Sequence, residues 1–182
     1  MKKQIILVFL FVAVIINQAY PKQEIEGSWI AKIKGDTVRI QMTIFKEEKS
    51  WGYWNTTNRF HIDQLVGLQK GKAQEFKLIN EAGTIFFNGK FTGEKGAGQF
   101  TFQANNQFRA FLKSKGYKEI SDQKMLSLCI HGASRKYINK IEKLGYKDLS
   151  LSKLIAFIIH GVTADFIRQI HDLGYKDISP SK

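Results

Sequence analysis

Four histidines, a single cysteine and a scatter of carboxylates are the residues here that could do group chemistry. His131 and His160 each precede a glycine and lie 29 residues apart. A position that recurs in this way reports a helix end, where an imidazole can bond a free carbonyl or sit beside the negative pole of the helix dipole. His171 falls off the face defined by Phe166, Ile170 and Leu173 and is expected in solvent. No His or Cys pair has the spacing of a structural zinc site, so no metal is assigned. Cys129 stands among Leu126, Leu128 and Ile130 and reads as a small buried hydrophobe. No Gly-x-Ser-x-Gly elbow occurs. Glycoside chemistry needs two carboxylates across a cleft; Asp36, Glu47, Glu48, Asp63, Glu75 and Glu81 are present, and nothing in the sequence pairs them. Gly93–Gly98 is glycine-rich but lies between two strand patterns, which makes it a hairpin rather than a phosphate cradle. No catalytic residue and no cofactor is assigned, and the chain is expected not to be an enzyme.

Binding is a separate matter from catalysis. Trp51, Tyr53 and Trp54 cluster, followed by Asn55 and Arg59. Strand alternation puts Trp51 and Tyr53 on one face and Trp54 on the other. Trp51, Tyr53, Trp54 and Arg59 are therefore the candidate ligand residues, for a sugar or an apolar molecule on a concave sheet. The competing role for such aromatics is plain core.

These residues must be held by two kinds of element. From Phe108 onward the sequence repeats with a period of 29: Gly116-Tyr117, Gly145-Tyr146 and Gly174-Tyr175. One unit runs from Ser121 to Ser150 and the next from Ser150 to Ser179. Each opens on a serine suited to an N-cap, then runs through an apolar stretch to His-Gly. Ser134 or Thr163 caps a second helix, whose apolar positions are Tyr137, Ile138, Ile141 and Leu144, matched by Phe166, Ile167, Ile170 and Leu173. That spacing is one helical face. Each unit is thus a helical hairpin too short to be stable alone, and stacking must supply the burial. A leading helix around Phe108 and Leu112 precedes them, and Ser179-Pro180 resembles a further helix start.

Between Glu26 and Asn105 the period is two. Val38, Ile40, Met42 and Ile44 share one face, and Arg39, Gln41 and Thr43 the other, as in a half-buried antiparallel strand. Gly35-Asp36 and Ala82-Gly83 mark turns. Short strands are expected around Gly52–Asn55 and Arg59–Ile62, and a helical turn in Asp63–Leu68. The fold class is α+β: an antiparallel β-meander over residues 20–105, shaped as a half-barrel or small sandwich, followed by helical hairpin repeats over 106–182.

Lys2-Lys3 followed by the twelve apolar residues Ile5–Ile16 has the layout of a secretory signal. The run is shorter than the roughly 20 residues of a membrane span. Export to the periplasm or beyond is expected, with residues 1–19 as signal peptide. Their loss takes away two lysines and lowers the net charge from +12 to +10. A single cysteine in an exported chain suits a bacterial envelope. Lys113, Lys115, Lys118, Lys124, Lys136, Lys140, Lys143 and Lys147 interleave with apolar positions, as on the wet face of amphipathic helices. The functional alternative is attraction to anionic lipid headgroups, polyanionic glycans or nucleic acid. Ile130-His131-Gly132-Ala133 echoes a DNA-binding helical hairpin but lacks its second glycine, so no nucleic-acid partner is assigned.

Three stretches carry a family resemblance: GSWIAKI around Trp29, EFKLINEAGTIFFNGKFTGEKGAGQFTFQANNQF over Glu75–Phe108, and HGVTADFIRQIHDLGYKDIS from His160. Together they resemble a bacterial envelope module that joins a small β-sheet domain to short helical hairpins. Such modules occur alone behind signal peptides or attached to membrane metallopeptidases of the beta-lactamase-regulator sensor type. No His-Glu-x-x-His is present, so the peptidase activity does not carry over. The resemblance implies an extracytoplasmic sensor or interaction role, with an envelope protein or a small ligand as partner. The first alternative is a small-ligand carrier that uses the concave sheet; after it come a nucleic-acid-binding helical-hairpin protein and an uncatalogued hydrolase.

Overall fold

A computed structural model describes residues 25–45, 53–69 and 73–175. The signal-like run 5–16, Trp51, Glu47, Glu48 and the Ser179-Pro180 cap lie outside the described residues. Seven strands come first: β1 (Ile25–Lys34), β2 (Thr37–Phe45), β3 (Tyr53–His61), β4 (Leu65–Val66), β5 (Ala73–Asn80), β6 (Gly83–Thr92) and β7 (Lys95–Ala104). Five helices follow: α1 (Asn106–Ser114), α2 (Asp122–Ile130), α3 (Arg135–Lys143), α4 (Leu151–Ile159) and α5 (Ala164–Asp172). The fold is α+β, a curled antiparallel half-barrel followed by helices, as the two periodicities imply.

The sheet order is β3-β2-β1-β7-β6-β5-β4, so two meanders are joined where the first strand pairs with the last. The two short strands expected around residues 52–62 are one continuous strand, β3, paired along its length with β2. Polar Thr56, Thr57 and Asn58 hid that continuity: Thr56 and Asn58 sit half-buried on the side that Trp54 and Phe60 share, where the Asn58 amide donates to the Thr56 hydroxyl at 3.0 Å. A 3-10 turn at Ile62–Gln64 then leads into β4.

Alternation sends Trp29, Ala31 and Ile33, then Val38, Ile40 and Met42, then Ile85, Phe87 and Phe91 to the inner face, all buried. Phe108 and Leu112 of α1 and Met125, Leu126, Leu128 and Cys129 of α2 join the same cluster, so one core runs from sheet into helices. Trp29 organises its centre. Its indole lies against Gly89, which faces Gly98 across the β6–β7 pair. A side chain at Gly89 would meet the indole at 2.6 Å. The indole N–H donates to the Gln99 carbonyl at 2.9 Å, so this buried donor is satisfied. Phe76 meets Trp29 edge-on at 5.4 Å and stacks on Phe87 at 4.7 Å.

Each helix begins on a side-chain cap. Asn105, Ser121, Ser134, Ser150 and Thr163 all accept backbone N–H groups of the first turn. Each helix is followed by a glycine at positive φ: Gly116, Gly132, Gly145, Gly161 and Gly174. The residue after each glycine returns its N–H to a carbonyl five residues back, as Ala133 does to Leu128 at 2.9 Å and Val162 to Phe157 at 2.9 Å. This closure satisfies carbonyls that the helix end leaves open. It gives the glycine of each His-Gly and Gly-Tyr pair a structural reason to occur. Helix α2 packs on β5, β6, β7 and α4, and α3 packs on α5.

Candidate interaction surfaces

The sequence pointed to Trp51, Tyr53, Trp54 and Arg59. Trp51 is outside the described residues. Tyr53 opens β3 opposite Phe45. Trp54 is half-buried and packs against the core. Arg59 is exposed and by alternation stands on the other face of the sheet from Trp54. The fold therefore does not bring Trp54 and Arg59 together.

Among the described residues, no group of three or more His, Cys, Asp or Glu side chains gathers in a metal-binding arrangement. His131 is half-buried at the end of α2, and burial depresses its pKa. Its backbone N–H donates to the Ser127 carbonyl. His160, at the same place after α4, is exposed. His171 is not the solvated residue expected: its ring stacks on Tyr146 at 6.3 Å, with Nε2 shielded from solvent. Cys129 is buried with its Sγ 3.3 Å from the Gly83 carbonyl, and burial pushes its thiol up to about 12. It is therefore no nucleophile in the folded chain.

One histidine does meet carboxylates. His61 Nε2 lies 2.8 Å from Asp36, in the β1–β2 turn, and Nδ1 lies 2.9 Å from Asp63, in the 3-10 turn. Hydrogen bonding to Asp36, and then to Asp63, raises the His61 pKa, and the same His61 contact lowers that of Asp36. Asp63 is local to His61, but Asp36 lies 25 residues away, so the sequence does not announce the full bridge; the β2–β3 register closes it. With both ring nitrogens engaged on an exposed turn, the group ties two turns together.

Two shallow depressions lie on the sheet. One, of about 550 Å³, is lined by Glu75, Lys77, Phe86, Asn88, Gln99 and Thr101. The second is lined by Glu26, Ser28, Gln99 and Thr101. Neither is visible in the sequence, because their polar residues come from strands β1, β5, β6 and β7, where they alternate with core positions.

The other open surface is the far end of the helices. In the α2–α3 hairpin, Ile130 lies in the shared core, and Tyr137, Leu144 and the following Tyr146 pack in one cluster with Phe157 of α4 and Ile167 of α5. Ile130 is 6% exposed. Tyr137 donates its hydroxyl to the Val162 carbonyl at 2.7 Å, and Tyr146 meets Phe157 edge-on. The residues at the same places in α4–α5 are Ile159, Phe166, Leu173 and Tyr175, which are 50%, 52%, 72% and 62% exposed. What the first hairpin covers with its neighbour, the second leaves open.

Searches found no matching family model, curated protein or solved structure.

Proposed function

We propose that the chain is an exported, non-catalytic interaction module of the bacterial envelope, and that a partner protein docks on the open end of the α4–α5 hairpin. One observation supports this above others. Four apolar positions that are buried or half-buried in the first hairpin recur exposed in the second, Ile159 and Phe166 on α4 and α5 and Leu173 and Tyr175 just after α5. Scattered exposed apolar residues are ordinary, whereas a contiguous set on one face marks an interaction surface. The fitting partner is a helical hairpin that presents an apolar face, because α4–α5 itself covers α2–α3 in that way. Non-catalytic action is supported by the buried thiol and by the engagement of His61 in two turn contacts. Export rests on the layout of residues 1–19, and the resemblance to envelope modules points the same way.

The test is photo-crosslinking in the cell from position 173, with position 79 on the sheet as control, alongside intact mass and fractionation. A discrete protein adduct at 173, absent at 79 and abolished by Phe166→Asp, on a chain that has lost about 19 residues, is the expected result. A full-length chain in the cytoplasm, or identical adducts from both positions, would overturn the reading.

A further inference from the structure

The solvent face of the sheet carries an arrangement that the docking surface above does not use. Lys32 on β1 stands directly across from Arg39 on β2 and from Lys95 on β7, and Arg39 stands directly across from Arg59 on β3. Four consecutive strands, β7-β1-β2-β3, thus each contribute one cation to a single cross-strand row, Lys95–Lys32–Arg39–Arg59. All four are exposed. Their strand neighbours Ala31, Ile33, Val38, Ile40 and Phe60 fill the core, so the row is confined to the outer face. With strands about 4.8 Å apart, the row is roughly 15 Å long.

Like charges directly across from one another destabilise a sheet. Among the described residues none of the four has an ion-pair partner. Asp36, the acid in the adjoining β1–β2 turn, is engaged by His61. Lys34 and Lys90 extend the positive surface on the same face. Folding alone gives no reason for this alignment, and anions laid along the row would relieve its self-repulsion.

We propose that the row binds a linear polyanion with phosphate groups along its backbone, of the polyphosphate type, laid across the strands. Charge complementarity and shape together select this occupant. The cations stand in line on an open surface rather than converging, so no single small anion is enclosed. The row also lies outside both depressions on this sheet. A lipid surface calls for an apolar inserting face, yet the adjacent row, Ala97–Ile30–Gln41–Thr57, offers one large apolar residue, Ile30. Two arginines side by side provide forked donors suited to successive phosphates.

The experiment uses the protein purified as its host produces it, titrated with long-chain inorganic polyphosphate, with orthophosphate, and with vesicles rich in phosphatidylglycerol. Polyphosphate should bind in a salt-dependent way and orthophosphate should not. Arg39→Glu with Arg59→Glu should weaken polyphosphate binding at least tenfold. It should also reduce the steepness of log affinity against log salt by about 1.4, the loss of two contacts at about 0.7 each. Arg39→Gln with Arg59→Gln should weaken binding in the same direction. Lys136→Glu with Lys140→Glu changes the net charge equally on the helices and should leave binding within about twofold. Equal losses from the sheet and helix variants would overturn the proposal in favour of diffuse attraction. Vesicle binding without polyphosphate binding would overturn it in favour of a membrane surface. Neither outcome touches the crosslinking test of the helical end.

Discussion

Glu81 and Arg135 meet at 2.8 Å where the β5–β6 turn reaches the first residue of α3. The same carboxylate accepts the Arg135 backbone N–H at 3.3 Å, an otherwise open donor at a helix start, where negative charge is favoured. The guanidinium lies over Phe108 and Phe111 of α1 at 5.4 and 5.6 Å. Beside it, Asn80 donates to the Cys129 carbonyl at 2.6 Å, and the Asn105 N–H donates to the Ala82 carbonyl. One turn thus fastens three helices to the sheet.

Removing that fastening should be felt by both halves at once. Glu81→Gln should cost about 0.5–1 kcal/mol, since the pair is partly exposed. Arg135→Ala should cost more, because it also uncovers two aromatic rings. A double-mutant cycle should return a coupling of about 0.5–1 kcal/mol. Urea unfolding followed by tryptophan fluorescence and by helical circular dichroism should give one coincident transition. Separate midpoints would mean that sheet and helices do not share a core.

Ile130 and Ile159 hold the same place in successive hairpins, so the same substitution should separate them. Ile130→Asp buries a charge with no partner and should cost upwards of about 4 kcal/mol. Ile159→Asp should change stability by no more than about 0.5 kcal/mol. Thermal melts of the two variants decide it. A large loss from Ile159→Asp would mean that this face is covered in the protein itself.

The buried thiol provides a probe of opening. With its pKa at about 12 and its sulfur against Gly83, Cys129 should react with a disulfide reagent only when the core opens. Labelling in native buffer should be at least about 10³-fold slower than in urea, following the unfolding equilibrium. Fast labelling under native conditions would show that α2 leaves the sheet locally.

Gly98 and Gly35 contrast two reasons for glycine. A side chain at Gly98 would lie 2.0 Å from the Asn88 carbonyl oxygen and 2.7 Å from Gly89 Cα, both backbone and unable to yield. Gly98→Ala should cost about 1–3 kcal/mol by overpacking. Gly35 has open space around it but a φ of +62°. Gly35→Ala should therefore cost only the left-handed strain, about 1–2 kcal/mol. Denaturant midpoints measure both, and an unperturbed Gly98→Ala would refute the close approach of β6 to β7.

What was legible in the sequence was local. Ser121, Ser134, Ser150 and Thr163 announce their helices because a cap is a contact within four residues. Gly132 and Gly161 announce the ends for the same reason. The α+β class followed from the switch of period after Asn105. The surfaces were not local. Arg59 drew notice beside Trp54, yet its neighbours turned out to be Arg39 and, one strand further, Lys32 and Lys95, set by registers between strands distant in sequence. The sequence placed the notable positive charge on the helices because lysines recur every few residues there. Its most ordered line is on the sheet, where no two members are adjacent in the chain. Ile159 and Phe166 carry the same pattern as Ile130 and Tyr137, so periodicity alone could not tell a covered face from an open one.

His61 allows the turn bridge to be tested by pH. Contacts with Asp36 and Asp63 raise its pKa above 6.5, so protonation favours the folded turn. That contribution is complete below pH 6.5 and fades as pH rises through the raised value. Asp36 behaves oppositely: its pKa lies below 3.8, and its contribution is present above 3.8 and lost as pH falls through the lowered value. The bridge is therefore strongest between about pH 4 and 6.5. Proton NMR titration of the His61 ring should give a midpoint above 6.5. Asp36→Asn and Asp63→Asn should each lower it, since both contacts raise it. A native midpoint at or below 6.5, or no response to Asp36→Asn, would mean that the β2–β3 register does not hold His61 against Asp36.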